Sequence, residues 1–145
     1  MVNGDFVTYS DCSNFDTPTT SEQSTDRSYN GSYSWYIVGN GYRQGIFSPN
    51  NFTLVSGKTY KVSLWVYAVD GNEIQSGVTN SDASVFTSRS VTQGEWSNVV
   101  YYITANASSP SYISILSSSS TLEFYIDNVS VKEYTTATNT PRIDY

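Results

Sequence analysis

The 145-residue chain has no histidine and a single cysteine, Cys12. Without imidazole there is no Ser-His-Asp or Cys-His machinery, no His-ligated catalytic zinc and no side chain with an unperturbed titration near neutral pH. One cysteine excludes an internal disulfide framework and a two-cysteine metal clip, and Cys12 reads as a small buried or loop residue. Cations are scarce: seven Lys and Arg against thirteen Asp and Glu leave a formal net charge of −6. Phosphate backbones and anionic membranes are held by clusters of Lys and Arg, so nucleic acid is excluded as a partner. No apolar run approaches the ~20 residues that cross a bilayer, and no charged n-region with an h-region opens the chain, so membrane insertion is not expected. Gly39-Asn40-Gly41 lacks the third glycine and the strand-to-helix setting of a phosphate loop. Four Asn-x-Ser/Thr patterns, at Asn30, Asn51, Asn106 and Asn128, are expected by chance in so hydroxyl-rich a chain.

What is present is a neutral polar surface of Ser, Thr, Asn, Gly and Tyr around a chain long enough to hide roughly 68–70% of its unfolded surface. No stretch places apolar residues at i, i+3, i+4 and i+7, whereas period-two alternation recurs. It is clearest from Thr59 to Val69, where Tyr60, Val62, Leu64 and Val66 alternate with Lys61, Ser63, Trp65 and Tyr67. Further strands are expected at Ser32–Val38, Gly45–Phe47, Phe52–Val55, Ile74–Thr79, Val85–Ser90, Trp96–Thr104, Tyr112–Leu116 and Leu122–Lys132. Turn clusters such as Ser56-Gly57-Lys58, Asp70-Gly71-Asn72 and Thr92-Gln93-Gly94 separate them. This spacing predicts an all-β fold, a two-sheet antiparallel β-sandwich or jelly roll, over residues 1–134. Ser10–Arg27 reads as a long loop, and 135–145 as a linker or tail. The chain enters a strand within two residues of Met1, which suits a piece of a larger chain.

Six segments, in order, resemble the β-jelly-roll carbohydrate-binding modules of families four, nine and twenty-two. They are Asn3-Gly4-Asp5-Phe6, Asn30-Gly31-Ser32-Tyr33-Ser34-Trp35, Gln44 before an apolar strand, Ser56 to Val66, Gly94-Glu95-Trp96, and Phe124-Tyr125-Ile126-Asp127-Asn128-Val129-Ser130-Val131. The resemblance implies a structural calcium ion shared by Asp5 and Asp127 where the first and last strands meet, with oxygens near Ser28–Asn30, Asn30 among them, completing the shell. The chain departs from the family pattern at Val7, where a second acid commonly stands; the alternative to the ion is that Asp5 caps a turn and Asp127 bonds backbone amides in a bulge. The tail segment Thr140-Pro141-Arg142-Ile143-Asp144-Tyr145 resembles one that recurs in bacteriophage tail and head-fibre proteins.

Pyranose rings pack their C–H faces on Trp and Tyr while their hydroxyls need amides, acids or Arg within reach. By alternation Trp65, Tyr67, Tyr102 and Tyr36 point away from the core and are the expected ligand-binding platform, with Tyr42, Arg43 and Gln44 from a nearby loop or strand end and Phe86 and Arg89 as weaker additions. Trp96 is expected in the core. Glycoside hydrolysis needs paired carboxylates, whereas most of Asp70, Glu73, Glu95 and Glu123 fall in or beside turns. The expected function is therefore non-catalytic binding of a polysaccharide or cell-surface glycan, outside a cell or on a virion surface such as a phage tail fibre. A purely structural or decoration domain of a virion is the alternative, and it predicts that Trp65, Tyr67 and Tyr102 are covered by protein. A small jelly-roll glycosidase or lyase would instead show paired acids in a cleft.

Overall fold

The computed structural model describes residues 13–15, 18–48, 52–118 and 121–134. Asp5, Val7, Cys12 and the tail 135–145 lie outside them. Twelve strands follow in chain order: β1 (Ser13–Phe15), β2 (Thr20–Ser24), β3 (Ser34–Gly39), β4 (Gly45–Phe47), β5 (Phe52–Thr53), β6 (Thr59–Ala68), β7 (Glu73–Val78), β8 (Ser88–Ser90), β9 (Trp96–Thr104), β10 (Pro110–Ser111), β11 (Ile113–Ser117) and β12 (Leu122–Glu133). Sheet A has the order β2-β3-β12-β6-β9 and sheet B the order β1-β4-β11-β7-β8, with β5 and β10 forming a small separate ribbon. Every named pairing is antiparallel.

Alternation sets the inner face of sheet A. In β6, Tyr60, Val62, Leu64, Val66 and Ala68 are buried, and in β9 Val99, Tyr101 and Ile103 are buried. In β12, Leu122, Phe124 and Ile126 point inward, and a bulge between Asp127 and Ser130 then brings Val129 and Val131 back to the core. The bulge sits at Asn128, whose φ of 54° lies in the left-handed region that asparagine tolerates. Across the core, the Tyr101 hydroxyl meets Ser76 Oγ of β7 at 2.8 Å, and Arg89 of β8 lies 3.5 Å over the Tyr101 ring. Burial pushes the Tyr101 phenol up to about 12.

Sheet B differs because its central strands are covered on both faces: all of β11 and Ile74 to Val78 of β7 are buried. The segment between β7 and β8 folds onto the outer side, pinned by Ser114 Oγ donating to the Val85 carbonyl (2.6 Å). Gly77 permits this approach, since a Cβ there would collide with the Ser84 carbonyl.

Three expectations are corrected by this architecture. Ser10–Arg27 is not one loop, because β1 and β2 lie within it; β2 pairs through its backbone with β3, which needs no apolar side chain, and Trp35 Nε1 donates to Ser21 Oγ (2.9 Å). Within Val85–Ser90 only Ser88–Ser90 is a strand, because the Ser84 side chain and carbonyl bind the amides and hydroxyl of Phe86 and Thr87 in a turn. Trp96 does not enter the core. It stands opposite Tyr67 in the register, and Tyr67 faces away from the buried Val66 and Ala68.

Candidate functional site

The outer face of sheet A carries a transverse row that crosses all five strands. Glu22, Tyr36, Tyr125, Tyr67 and Trp96 stand opposite one another in successive pairings, and Trp65 lies one step along with Asp127 and Asn98. This row is already engaged by the chain itself. The connection between β2 and β3 lays Tyr29 flat on Trp65, with ring centroids 3.8 Å apart and planes 10° from parallel. The Arg27 guanidinium lies 4.3 Å over the Tyr67 ring and 5.5 Å from Tyr125. Asp127, fully buried, holds that connection: its Oδ2 accepts the Tyr29 and Asn30 amides at 2.9 and 3.1 Å, and its Oδ1 accepts the Asn128 amide at 2.7 Å. Burial, reinforced by a hydrogen bond with Glu123, pushes the Tyr36 phenol up to about 12. Burial also raises Tyr125, with Asp26 adding to it. At neutral pH both phenols keep their protons.

Tyr102 is remote from that cluster. It lies two pairs further along β9, opposite Lys61, half-exposed, with Tyr134 edge-on at 4.7 Å.

Tyr42, Arg43 and Gln44 belong to the other sheet. They form the connection between β3 and β4, which Ser117 at the end of β11 ties down: the Arg43 amide donates to the Ser117 carbonyl (3.0 Å), the Ser117 amide to the Gln44 carbonyl (2.7 Å), and Ser117 Oγ to the Gly41 carbonyl (2.8 Å). Gln44 spends its side chain inside the connection, its Oε1 accepting the Asn40 amide at 2.7 Å. Tyr42 and Arg43 instead turn toward Gln75 and Phe86. Tyr42 is 53% exposed. The Arg43 guanidinium lies between two rings, 4.7 Å from Tyr42 and 4.0 Å from Phe86. Gln75 of β7 stands on the outer side between the inward Ile74 and Ser76, and its Nε2 donates to the Tyr42 hydroxyl at 3.2 Å. That bond lowers the Tyr42 pKa; desolvation opposes it, the charge and a hydrogen bond of Arg43 lower it further, and Glu73 acts weakly the other way. Phe47 and Tyr112 pack together at 4.6 Å beside β11.

Two polar atoms here are buried without a partner, Arg43 Nε and Gln75 Oε1; among the described residues one other is, Asn128 Oδ1 at the bulge. An unmet buried polar group costs about 1–3 kcal/mol, so native structures meet most of them with protein, water or ligand. The exposed ring of Tyr42, an unmet amide oxygen and an unmet guanidinium N–H lie together on one face. That combination can stack a sugar ring and bind its hydroxyls.

Sequence reasoning found Tyr42, Arg43 and Phe86 but passed over Gln75, which the alternation in β7 could have placed opposite Ile74 and Ser76. It also missed Tyr29 and Arg27, since no periodicity reveals that a polar connection folds back over a sheet. Arg89 lies on the core side, over Tyr101, with Nε donating to the Ser76 carbonyl at 3.1 Å. Of the expected calcium ligands, Asp5 lies outside the described residues. Asp127 has three of a carboxylate's roughly four lone-pair sites on amides. Asn30 contributes its amide to Asp127. No group of three or more acids or cysteines capable of holding a metal occurs among the described residues.

Comparison with known proteins places these features in context. Residues 1–126 match the family model CBM_4_9, described as a carbohydrate binding domain. A search of curated protein sequences found no match. Among solved structures, the chain is similar to the Clostridium thermocellum xylanase 10B CBM22-1–GH10 modules complexed with xylohexaose, at TM-score 0.75 and 21% identity, over 99% of this chain and 30% of that one. It is similar to the CBM22-1 xylan-binding domain of Paenibacillus barcinonensis Xyn10C, at TM-score 0.67 and 13% identity, over 87% of each chain. A third similar structure is the enzymatically active domain of bacteriophage CBA120 tailspike protein 4, at TM-score 0.64 and 14% identity, over 90% of this chain and 20% of that one. At these identities the likeness is one of fold. The chain spans about a third of the xylanase chain and a fifth of the tailspike chain.

Proposed function

We propose that this chain, which belongs to the CBM_4_9 family of carbohydrate binding domains and is a non-catalytic carbohydrate-binding module, seats its glycan beside the covered centre of sheet B, at the exposed Tyr42 of the β3–β4 connection. The observation that carries this is the pair of buried, unmet polar atoms, Arg43 Nε and Gln75 Oε1, beside the exposed ring of Tyr42. A sugar stacked on Tyr42 lies next to both side chains, and a small outward shift of each gives its hydroxyls access to the two atoms. The ligand is a polysaccharide, and xylan is the first to test, since proteins of similar fold are xylan-binding domains. The module acts outside the cell as part of a larger chain, bringing an enzyme or a fibre to its glycan.

The outer face of sheet A has the composition of a platform but not a free surface. Tyr29 already takes the place on Trp65 that a sugar ring would take, and Arg27 takes that on Tyr67. That covering favours a structural role for Trp65 and Tyr67, whereas Tyr102, which a purely structural domain would also cover, is half-exposed. A virion decoration domain remains the second reading on this observation.

The deciding experiment is a glycan array followed by calorimetry on the hits, comparing Tyr42→Ala and Gln75→Ala with Trp65→Ala. Loss of binding in the first two with retention in the third is expected. The reverse pattern moves the site to sheet A, and no glycan bound above background overturns the reading. A structural calcium between Asp127 and Asp5 is part of this proposal. A melting temperature that falls in EGTA is expected, and an unchanged one removes the ion.

A further inference from the structure

Arg43 is held in an unusual way for a surface cation. Its φ is 63°, a left-handed backbone that is strained for a side chain of this size and persists only where the surroundings fix it. Ser117 fixes the backbone, and the rings of Tyr42 and Phe86 fix the guanidinium. Yet it has no carboxylate partner: the ion pair among the described residues is Lys58–Glu133. Arg27 and Arg89 lie over rings as well, Arg27 over Tyr67 and Tyr125 and Arg89 over Tyr101 with the Ser76 carbonyl as acceptor, but among the described arginines it is Arg43 that keeps a buried Nε without an acceptor. The acid on the same face, Glu73, acts on the Tyr42 phenol more weakly than Arg43 does.

We propose that the sugar site around Tyr42 prefers glycans bearing a uronic acid, with Arg43 binding its carboxylate. This rests on the reading of that place as the sugar site and adds the class of sugar. A neutral sugar offers single hydroxyl acceptors, whereas a carboxylate meets the planar guanidinium with two parallel N–H···O bonds and cancels its charge. The chain as a whole carries −6 and repels acidic glycans at long range. Any preference for them must therefore be local.

The test is calorimetry of xylohexaose against a xylo-oligosaccharide of the same length bearing a glucuronic acid branch, with an array of neutral and uronic-acid-containing polysaccharides beside it. Wild type, Arg43→Gln and Arg43→Lys are compared at low and high salt. The acidic ligand is expected to bind at least about tenfold tighter to wild type, as one charge-assisted pair allows. High salt should narrow that preference, Arg43→Lys should keep part of it, and Arg43→Gln should abolish it. Equal affinity of wild type for both ligands overturns the inference and leaves glycan binding standing. A preference that survives in Arg43→Gln removes Arg43 from the role, and absence of binding to every glycan overturns both readings. If Arg43→Gln fails to fold, the wild-type comparison and its salt dependence still decide.

Discussion

Replacing Asp127 by Ala tests how the β2–β3 connection is held over sheet A. The side chain is fully buried and accepts three amides, from Tyr29, Asn30 and Asn128, at 2.9, 3.1 and 2.7 Å. Hydrogen bonds to a charged group contribute about 1.5–3 kcal/mol each, but the three share one carboxylate and are not additive. Water recovers part of the loss as well, because Tyr29 is 43% exposed. The expected net cost is about 3 kcal/mol, which for a chain of this size lowers the melting temperature by on the order of 10 °C. Asp127→Asn keeps the volume and one acceptor oxygen but turns an NH2 toward an amide donor, so about 1–2 kcal/mol is expected.

The assay is thermal denaturation with a simultaneous tryptophan fluorescence readout, with and without EGTA. Releasing the connection should separate Tyr29 from Trp65 and change the emission below the melting transition. If Asp127→Ala melts within about 1 kcal/mol of wild type, the amide clamp is not what holds the connection. If the Ala variant falls as expected but its fluorescence is unchanged, Tyr29 stays on Trp65 through its ring contacts alone.

Further outcomes are expected. Tyr42→Ala and Gln75→Ala should each weaken glycan binding by roughly tenfold in calorimetry, the loss of one stacked ring or one buried hydrogen bond, with Trp65→Ala near wild type. Gly77→Ala should destabilise by about 1–3 kcal/mol in a melt, as overpacking does, because the new Cβ meets backbone at Ser84. Tyr101 has a phenol raised to about 12 from an ordinary 10.0. A group raised in the folded state gives stability that is complete below the unfolded pKa and lost as pH climbs through the folded one. Alkaline unfolding should therefore track phenolate absorbance between 10 and about 12, and Tyr101→Phe should move the transition to higher pH.

The fold was legible because alternation reports burial directly. Tyr60, Val62, Leu64 and Val66, then Val99, Tyr101 and Ile103, define the inner face of sheet A, and the structure buries each of them. Edge strands escaped the same reasoning: β2 is Thr-Ser-Glu-Gln-Ser and owes its place to backbone pairing with β3. Trp96 escaped because one residue of register decides which face a strand-opening aromatic takes. The bond of Asp127 to the Asn128 amide in the bulge is local and was legible as an alternative to calcium, whereas its contacts with the amides of residues 29 and 30, nearly a hundred positions away, belong to tertiary structure.

Alternation divides residues between two faces, yet it cannot say whether an outward face is free, and for a binding protein that distinction carries the function. Trp65 and Tyr67 have the side chains a sugar needs, but Tyr29 and Arg27 already satisfy their ring faces, so a ligand there must first displace a parallel stack and a cation–π contact worth about 0.5–1.5 kcal/mol each. On sheet B Arg43 likewise lies against a ring, 4.7 Å from the Tyr42 centroid, but that ring stays 53% exposed and the balance runs the other way. Gln75 Oε1 and Arg43 Nε have already lost their water without gaining a partner, so a ligand that reaches them recovers a penalty the fold has incurred. Two faces of similar composition therefore differ in the interaction energy left to offer, and it is the less aromatic one, around Tyr42, that holds it.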